Sequence, residues 1–313
     1  MNGDLKDKFL GCMLGSALGD AIGAPFEFMD RASTRAKFRM DGLENFKGKY
    51  TDDTQLTLAL ARALLEDEAH FQEAFGREIV KWLEKGDNRY PGLTCLNAAQ
   101  NLKEGIAPDK SGISNSLGSG AAMRIWPVGL LYDKNSIMLP AKKSSEITHA
   151  NPCIYTSSSV IAYSVSELKK ILPDDFHPAI FIDDLIEHAE LCERDVFGKY
   201  KVNFSDILKK MKSAFPSQKF VDETQNRGAC TDTVPLAIYC FLLNPCDFKK
   251  AVSESVKLGL DADTSACITG GLSGTLNGVS ALPEEPLKKL EDKEYISKLA
   301  SELFERYRRL KNE

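Results

Sequence analysis

Two short acidic stretches carry the residues best able to do chemistry. YTDDTQLTLALARALLE, residues 50–66, places Asp52 and Asp53 side by side ahead of a long apolar run, and LGLDADTSACITGG, residues 258–271, brings Asp261, Asp263 and Thr264 to the start of another. Each acid alone has a local explanation. Asp52 reads as the N-cap of a helix, Gln55 completes a capping box, and Asp53 adds favourable charge at the positive helix end. Asp263 reads likewise as an N-cap, with Asp261 in the turn before it. Capping uses one acid per helix, and the second start has one to spare. Both starts also feed apolar helices that belong in a core, where unpaired carboxylates are expensive. If the two stretches meet, four carboxylates share one site and repel unless cations neutralise them. Hard divalent ions take carboxylates, hydroxyls such as those of Thr51 and Thr264, and water. They can polarise a substrate hydroxyl, activate water or clamp phosphate.

Three further stretches offer partners for such a site. SNSLGSGAAMRIWPVGLL, residues 114–131, contains the small-residue turn Gly118-Ser119-Gly120 running into a helix. Backbone amides of such a turn can approach an anion, although a tight interhelical turn would use the same residues. His149, in ITHANP, is either a buried structural histidine or a ligand contact. Glu27, in GDAIGAPFEF, is either a solvated loop acid or a movable carboxylate that manages a proton.

The elements that must position these residues read as helices. Apolar residues recur at three- and four-residue intervals over 5–23, 53–67, 70–85, 93–104, 120–132, 153–171, 179–190, 203–213, 231–243, 247–258, 264–276 and 286–310, and strand-like alternation is nearly absent. Gly and Pro breakers fall between them. The expectation is an all-α chain, one domain over 1–313, with about a dozen helices around one core. The helix from 264 is rich in Gly, Ser, Thr and Ala, which lowers its propensity and calls for close packing against a helix or ligand.

Composition narrows the function classes. Of 313 residues, 43% are hydrophobic and 27% charged, with net charge −5, and the basic residues are scattered rather than gathered on a nucleic-acid face. The Lys-Lys pairs at 142, 169, 209, 249 and 288 read as solvated helix faces. No uninterrupted apolar run reaches about 18 residues, so neither a membrane span nor a signal peptide is expected. Eight dispersed cysteines without a C-x-x-C pair read as reduced, mostly buried thiols of a cytoplasmic protein. Four histidines without metal-ligand spacing leave oxygen ligands, and hence magnesium, calcium or manganese, as the metals a site here would hold.

In chain order, GCMLGSALGDAIGAPFEF (11–28), YTDDTQLTLALARALL (50–65), GSGAAMRIWPVGLLY (118–132), THANP (148–152) and LGLDADTSACITGGLSG (258–274) resemble the ADP-ribosylglycohydrolase family, relatives of dinitrogenase reductase-activating glycohydrolase. The resemblance implies a compact single-domain orthogonal helical bundle with a central two-metal cleft. It implies two Mg2+ ions, with Mn2+ as a substitute, held by Thr51, Asp52, Asp53, Asp261, Asp263 and Thr264. Glu27 matches the family's mobile glutamate and would manage the proton, with Asp52 or Asp53 orienting water. Asn115, Ser116, Gly118, Ser119 and Gly120 would cradle the diphosphate with His149, and Gly92 would lie against the distal ribose. Ser119 stands where the family usually has Asn, and Asn115-Ser116-Leu117 stands where some relatives have G-S-Y, so no tyrosine contact to the nucleotide end is expected. The implied activity is hydrolysis of the glycosidic bond at the anomeric carbon of the distal ribose. Its partners would be an ADP-ribosylated protein and ADP-ribose, with a lean to arginine-linked substrate and a monomeric state. Serine-linked or small-molecule substrates, or a non-catalytic ADP-ribose-binding relative, are the alternatives.

Overall fold

The computed structural model describes residues 2–40, 43, 46–197 and 201–312. In chain order the helices are α1 (Asn2–Gly23), α2 (Arg31–Lys37), α3 (Asp52–Glu66), α4 (Phe71–Lys85), α5 (Leu93–Lys103), α6 (Trp126–Leu131), α7 (Met138–Glu146), α8 (Pro152–Leu168), α9 (Pro178–Leu191), α10 (Phe204–Ala214), α11 (Lys219–Glu223), α12 (Thr233–Leu243), α13 (Phe248–Val256), α14 (Ala262–Asn277), α15 (Glu284–Lys289) and α16 (Lys293–Asn312). Among the described residues extended pairing is confined to one isolated antiparallel bridge, Gly118 with Ala229. The all-α expectation holds. Three short helices, α2, α7 and α11, are absent from the periodicity reading, being too brief to repeat a pattern. The helix expected over 120–132 divides into a 3-10 turn, Ser119–Ala121, and α6, whose first turn accepts Pro127. The one expected over 286–310 breaks at Leu290, which is extended, and at Asp292, which is left-handed.

The core is organised by α1 and α14, the most intimately packed pair of helices. Small residues line their seam. A Cβ placed on Gly19 would lie 2.0 Å from the Ala266 carbonyl oxygen, and one on Gly15 would lie 2.5 Å from that of Gly270. No side chain fits at such separations, which explains why α14 accepts a composition that costs helix propensity. On another face of α14, Gly271 receives the Trp126 ring at the same close range. α1 is long and apolar enough to cross a membrane, yet 78% of its most apolar window is buried in the bundle. It is a core helix whose apolar surface meets other helices.

One of the lysine pairs departs from its expected place. Lys169 is buried, and its Nζ donates to the carbonyls of Gly129, Leu130 and Tyr132, capping the C-terminal end of α6. The ammonium also lies over the Tyr307 ring, 4.4 Å from its centroid. All eight cysteines are free, and all but Cys246 are buried.

Candidate functional site

The start of α3 is built on a residue of α1. Asp20, fully buried, accepts hydrogen bonds from the backbone N–H groups of Thr51 and Thr54 and from both of their hydroxyls, at 2.6–3.1 Å. One carboxylate therefore satisfies orphan donors at the helix start and fixes its approach to α1. The N-cap is Thr51 and not Asp52, as the capping-box reading had it. Thr51 Oγ1 accepts from the Asp53 N–H, and Gln55 instead accepts from the Trp82 indole and donates to the Asp87 carbonyl. Freed from capping, Asp52 and Asp53 turn their carboxylates to other work.

The start of α14 also shifts by two residues from the expected frame. Asp261 is the N-cap and Asp263 lies within the first turn. The Asp261 carboxylate is approached by the hydroxyls of Thr233, Thr264 and Ser119, the last at 3.4 Å. Asn226, fully buried, holds the turn from behind, donating to the carbonyls of Gly259 and Asp261 at 2.8 and 2.9 Å.

Both helix starts open on one cleft of about 550 Å³. It gathers Glu27, Asp52, Asp53, Asp261, Asp263 and Thr264 with Gly92, Gly118, Ser119, Gly120 and His149. Of the other residues singled out in the sequence, Asn115 is exposed and does not line the cleft. Ser116 bonds to Thr94 Oγ1 at 2.8 Å and accepts from the Gly118 N–H, so it shapes the turn from outside. Thr51 is buried beneath the floor. Its proton goes to Asp20, leaving a lone pair on Oγ1 for another partner.

The carboxylates are strained electrostatically. Burial first, and the neighbouring acids next, push Asp52, Asp53 and Asp263 well above the usual carboxylate range. Asp261 is raised by burial to about 6, with its hydroxyl partners pulling the other way. Burial together with the charges of Asp261 and Asp20 raises Glu27, half-buried at the cleft wall, to about 8. Two fully buried oxygens, Asp53 Oδ2 and Asp263 Oδ1, have no hydrogen-bond partner. Orphaned carboxylate oxygens of this kind are costly, and a cation between them would relieve both the missing bonds and the repulsion. Among the described residues, no group of three or more Asp, Glu, His or Cys side chains is arranged to hold a metal ion by itself. A hydrated ion such as magnesium, which keeps several waters and uses one or two carboxylates at a time, needs no such group. The oxygen donors present fit such an ion.

The opposite wall is polar in another way. Arg124, fully buried, donates to the Gly120 carbonyl at 2.8 Å, to the Ser144 carbonyl at 2.9 Å and to Thr148 Oγ1 at 2.7 Å. Thr148 Oγ1 lies 2.7 Å from His149 Nδ1. The hydroxyl's one proton has Nδ1 and, at 3.5 Å, the Ser145 carbonyl as acceptors; the shorter contact favours Nδ1 and hence the neutral tautomer with the proton on Nε2. Burial, with the charge of Arg124, lowers His149 to about 3, so it stays neutral. Its Nε2 edge faces Gly118, where a Cβ would sit 3.2 Å away. A donor and a glycine turn thus share one wall.

Asp20, Arg124 and Thr148 escaped the sequence reading of the site. Asp20 and Arg124 lie inside quoted motifs, GDAIGA and AMR, and a charged residue amid small or apolar ones was the available signal. The cleft's rim carries two aromatic residues of the same kind, Phe28 and Tyr90, both exposed and both at positive φ.

A helical bundle carrying paired acidic helix starts across a cleft from a glycine turn defines a glycohydrolase-type architecture, and the comparisons specify which. The ADP-ribosylglycohydrolase family profile matches residues 1–313, and the chain belongs to that family. An uncharacterised protein of Archaeoglobus fulgidus is 27% identical over 98% of this chain and 99% of its own. The mouse ADP-ribosylhydrolase ARH3 is 27% identical over 95% and 90%, and the ADP-ribosylarginine hydrolase Tri1 of Pseudomonas putida 26% over 96% and 78%. A solved structure described as an ADP-ribosylglycohydrolase-related protein complex superposes with a TM-score of 0.76 at 22% identity, covering 97% of this chain and 99% of that one, which establishes the shared fold.

Proposed function

We propose that this chain is a divalent-cation-dependent hydrolase that releases ADP-ribose from a modified protein side chain, with arginine as the linked residue. The observation that carries the cation dependence is the pair of buried, partnerless oxygens, Asp53 Oδ2 and Asp263 Oδ1, on facing helix starts. Asp52, Asp53, Asp261, Asp263, Thr264 and the free lone pair of Thr51 are the groups that would hold two Mg2+ ions, or Mn2+. Bound there, the ions would supply positive charge that fixes ribose hydroxyls and lowers the proton affinity of nearby water.

The chain's own residues account for the rest. Glu27, half-buried at the cleft wall, is the carboxyl group that would donate a proton to the leaving nitrogen as the bond to the anomeric carbon breaks. Water attacks that carbon, and its proton passes to Asp52 or Asp53. The surrounding carboxylates stabilise the oxocarbenium-like charge that develops between the two events. Gly92, which has open space around it at the start of α5, leaves room for the distal ribose. The diphosphate meets the Gly118–Gly120 amides and the Nε2–H of His149. Phe28 and Tyr90 at the rim favour a planar cationic leaving group such as guanidinium, which stacks on aromatic faces. The Tri1 relative, an ADP-ribosylarginine hydrolase by name, supports the same reading.

Arginine-, serine- and cysteine-linked ADP-ribosyl peptides offered side by side, with Mg2+ and with EDTA, test the proposal. Release from the arginine peptide that EDTA abolishes and Asp263→Asn lowers at least about 100-fold is expected, in line with loss of a transition-state charge interaction. Binding of ADP-ribose without turnover of any peptide would leave a non-catalytic relative. EDTA-resistant turnover would remove the cation from the proposal.

A further inference from the structure

We infer that Arg227, which no motif singled out, is the cationic residue that receives the diphosphate of ADP-ribose; this rests on the hydrolase reading above. The first ground is charge. The cleft is lined by Glu27, Asp52, Asp53, Asp261 and Asp263, and its described lining contains no lysine and no arginine other than Arg227. His149, on the opposite wall, is neutral. These acids offer a diphosphate no attraction, and whichever of them are ionised repel it. Cations among the carboxylates offset that repulsion only on their own side. A positive group is needed where the phosphates lie.

The second ground is position. Arg227 sits between two residues that are firmly held. Asn226 is anchored by its side chain to the α14 turn, and its carbonyl accepts from the Asp261 N–H at 3.1 Å. The Gly228 carbonyl accepts from the Ser119 N–H at 2.8 Å, and the Cys230 N–H donates to the Leu117 carbonyl at 2.7 Å. These bonds run residues 228–230 antiparallel to 117–119. The bridge ends there, since Ser119–Ala121 turns into a 3-10 helix, and Arg227, just before the bridged segment, lines the cleft together with Gly118, Ser119, Gly120 and His149. The backbone on either side of Arg227 is therefore anchored, and its side chain lines the same cleft as the amides that would meet an anion.

The third ground is that the fold does not use this side chain. Arg227 is exposed, and among the described residues its guanidinium makes no ion pair and no hydrogen bond. Arg227 also borders a second groove with Glu223 and Asp232; its backbone N–H serves the Asp232 carboxylate, and its guanidinium is paired with neither acid. An arginine on a fixed backbone, at the edge of an anion-binding turn and unengaged by neighbouring acids, presents the planar fork that matches phosphate oxygens.

The test uses the full chain with Mg2+, titrating ADP-ribose by calorimetry and measuring hydrolysis of the ADP-ribosyl arginine peptide. Arg227→Ala is expected to weaken ADP-ribose about 10- to 100-fold, the range of a lost charge-assisted hydrogen bond, and to raise KM similarly with kcat within about threefold. The salt dependence of the ADP-ribose Kd is expected to flatten in the variant, and Arg227→Lys to recover part of the affinity. An Arg227→Ala chain that binds ADP-ribose as the unmodified chain does, or one whose loss of affinity comes with a lowered melting temperature, overturns the assignment while leaving the hydrolase reading intact. Failure of the unmodified chain to bind ADP-ribose at all overturns that reading and this inference together.

Discussion

Phe28 and Leu260 are joined by a backbone hydrogen bond of 2.7 Å, Phe28 N–H to Leu260 carbonyl, and both hold left-handed backbone, at φ 63° and 56°. The Leu260 N–H returns a bond to the Met29 carbonyl. Through this pair the residue after Glu27 is tied to the residue before Asp261, so two acids from opposite ends of the chain share one strained clasp. Positive φ in non-glycine residues costs about 1–3 kcal/mol and concentrates at functional sites. Phe28→Val puts a β-branched residue into that conformation with little other change, since the side chain is 75% exposed. A loss of about 1–2 kcal/mol in urea unfolding is expected, against less than about 0.5 for Phe28→Gly, where relief of strain and added unfolded-state freedom offset each other.

Asp20→Asn tests the mount of α3. The amide turns an NH2 group toward hydroxyls and N–H groups that need an acceptor, leaving at least one buried donor unpaired. The expected cost is about 2–4 kcal/mol, above the loss of one neutral hydrogen bond because the acceptor is charged and buried. Activity is expected to fall along with stability, and excess Mg2+ should recover the activity only in part. An Asn variant with unchanged unfolding would remove Asp20 from this role.

Thr148→Val cuts the relay from Arg124 to His149. Without the hydroxyl, His149 Nδ1 loses its donor, and the tautomer with the proton on Nε2 is no longer enforced. The ADP-ribose Kd is expected to rise about 5- to 20-fold, within the range for one weakened hydrogen bond. Nitrogen chemical shifts of the ring read the tautomer directly. A ring still protonated on Nε2 in the variant would contradict the relay.

Lys169 gives the stability a pH dependence of definite sign. Burial lowers it to about 7 from 10.5. Below pH 7 both states carry the charge, and the folded state bears the full cost of burying it. Between pH 7 and 10.5 the unfolded chain holds a proton that the folded chain has released, so this lysine's contribution to stability rises with pH, by up to about 1.4 kcal/mol per unit. Lys169→Met removes that slope and leaves the α6 carbonyls without their donor. Urea unfolding at pH 7 and pH 9 is expected to show the unmodified chain gaining on the variant; parallel curves would contradict a neutralised lysine.

Much of the site was legible because acids are rare at the mouths of apolar helices. Asp52, Asp53, Asp261 and Asp263 stood out for that reason, and all four line one cleft. Their cap assignments were less secure, because Thr51 and Asp52, or Asp261 and Asp263, are both acceptable at a helix start and only tertiary partners decide between them. Asp20 was hidden by its place within a helix, where nothing local distinguishes a hub from a surface acid. Lys169 was misplaced because a Lys-Lys pair has no helical signature of its own, and the carbonyls that draw it inward belong to α6. Arg227 was invisible for a different reason: its significance depends on what surrounds it in space.

The seam of α1 with α14 also has a consequence for how the molecule comes into being. α1 ends at Gly23 and α14 begins at Ala262, so α1 is synthesised well before its partner. At about 5–20 residues per second, the apolar face of α1 waits roughly 10–50 s for the backbone it must touch. The start of α3 can be mounted on Asp20 earlier, but the second acidic helix start arrives only with α14. A chain truncated before Asp261 would hold most of the helices and still lack half of the acidic cleft, with the α1 seam left uncovered.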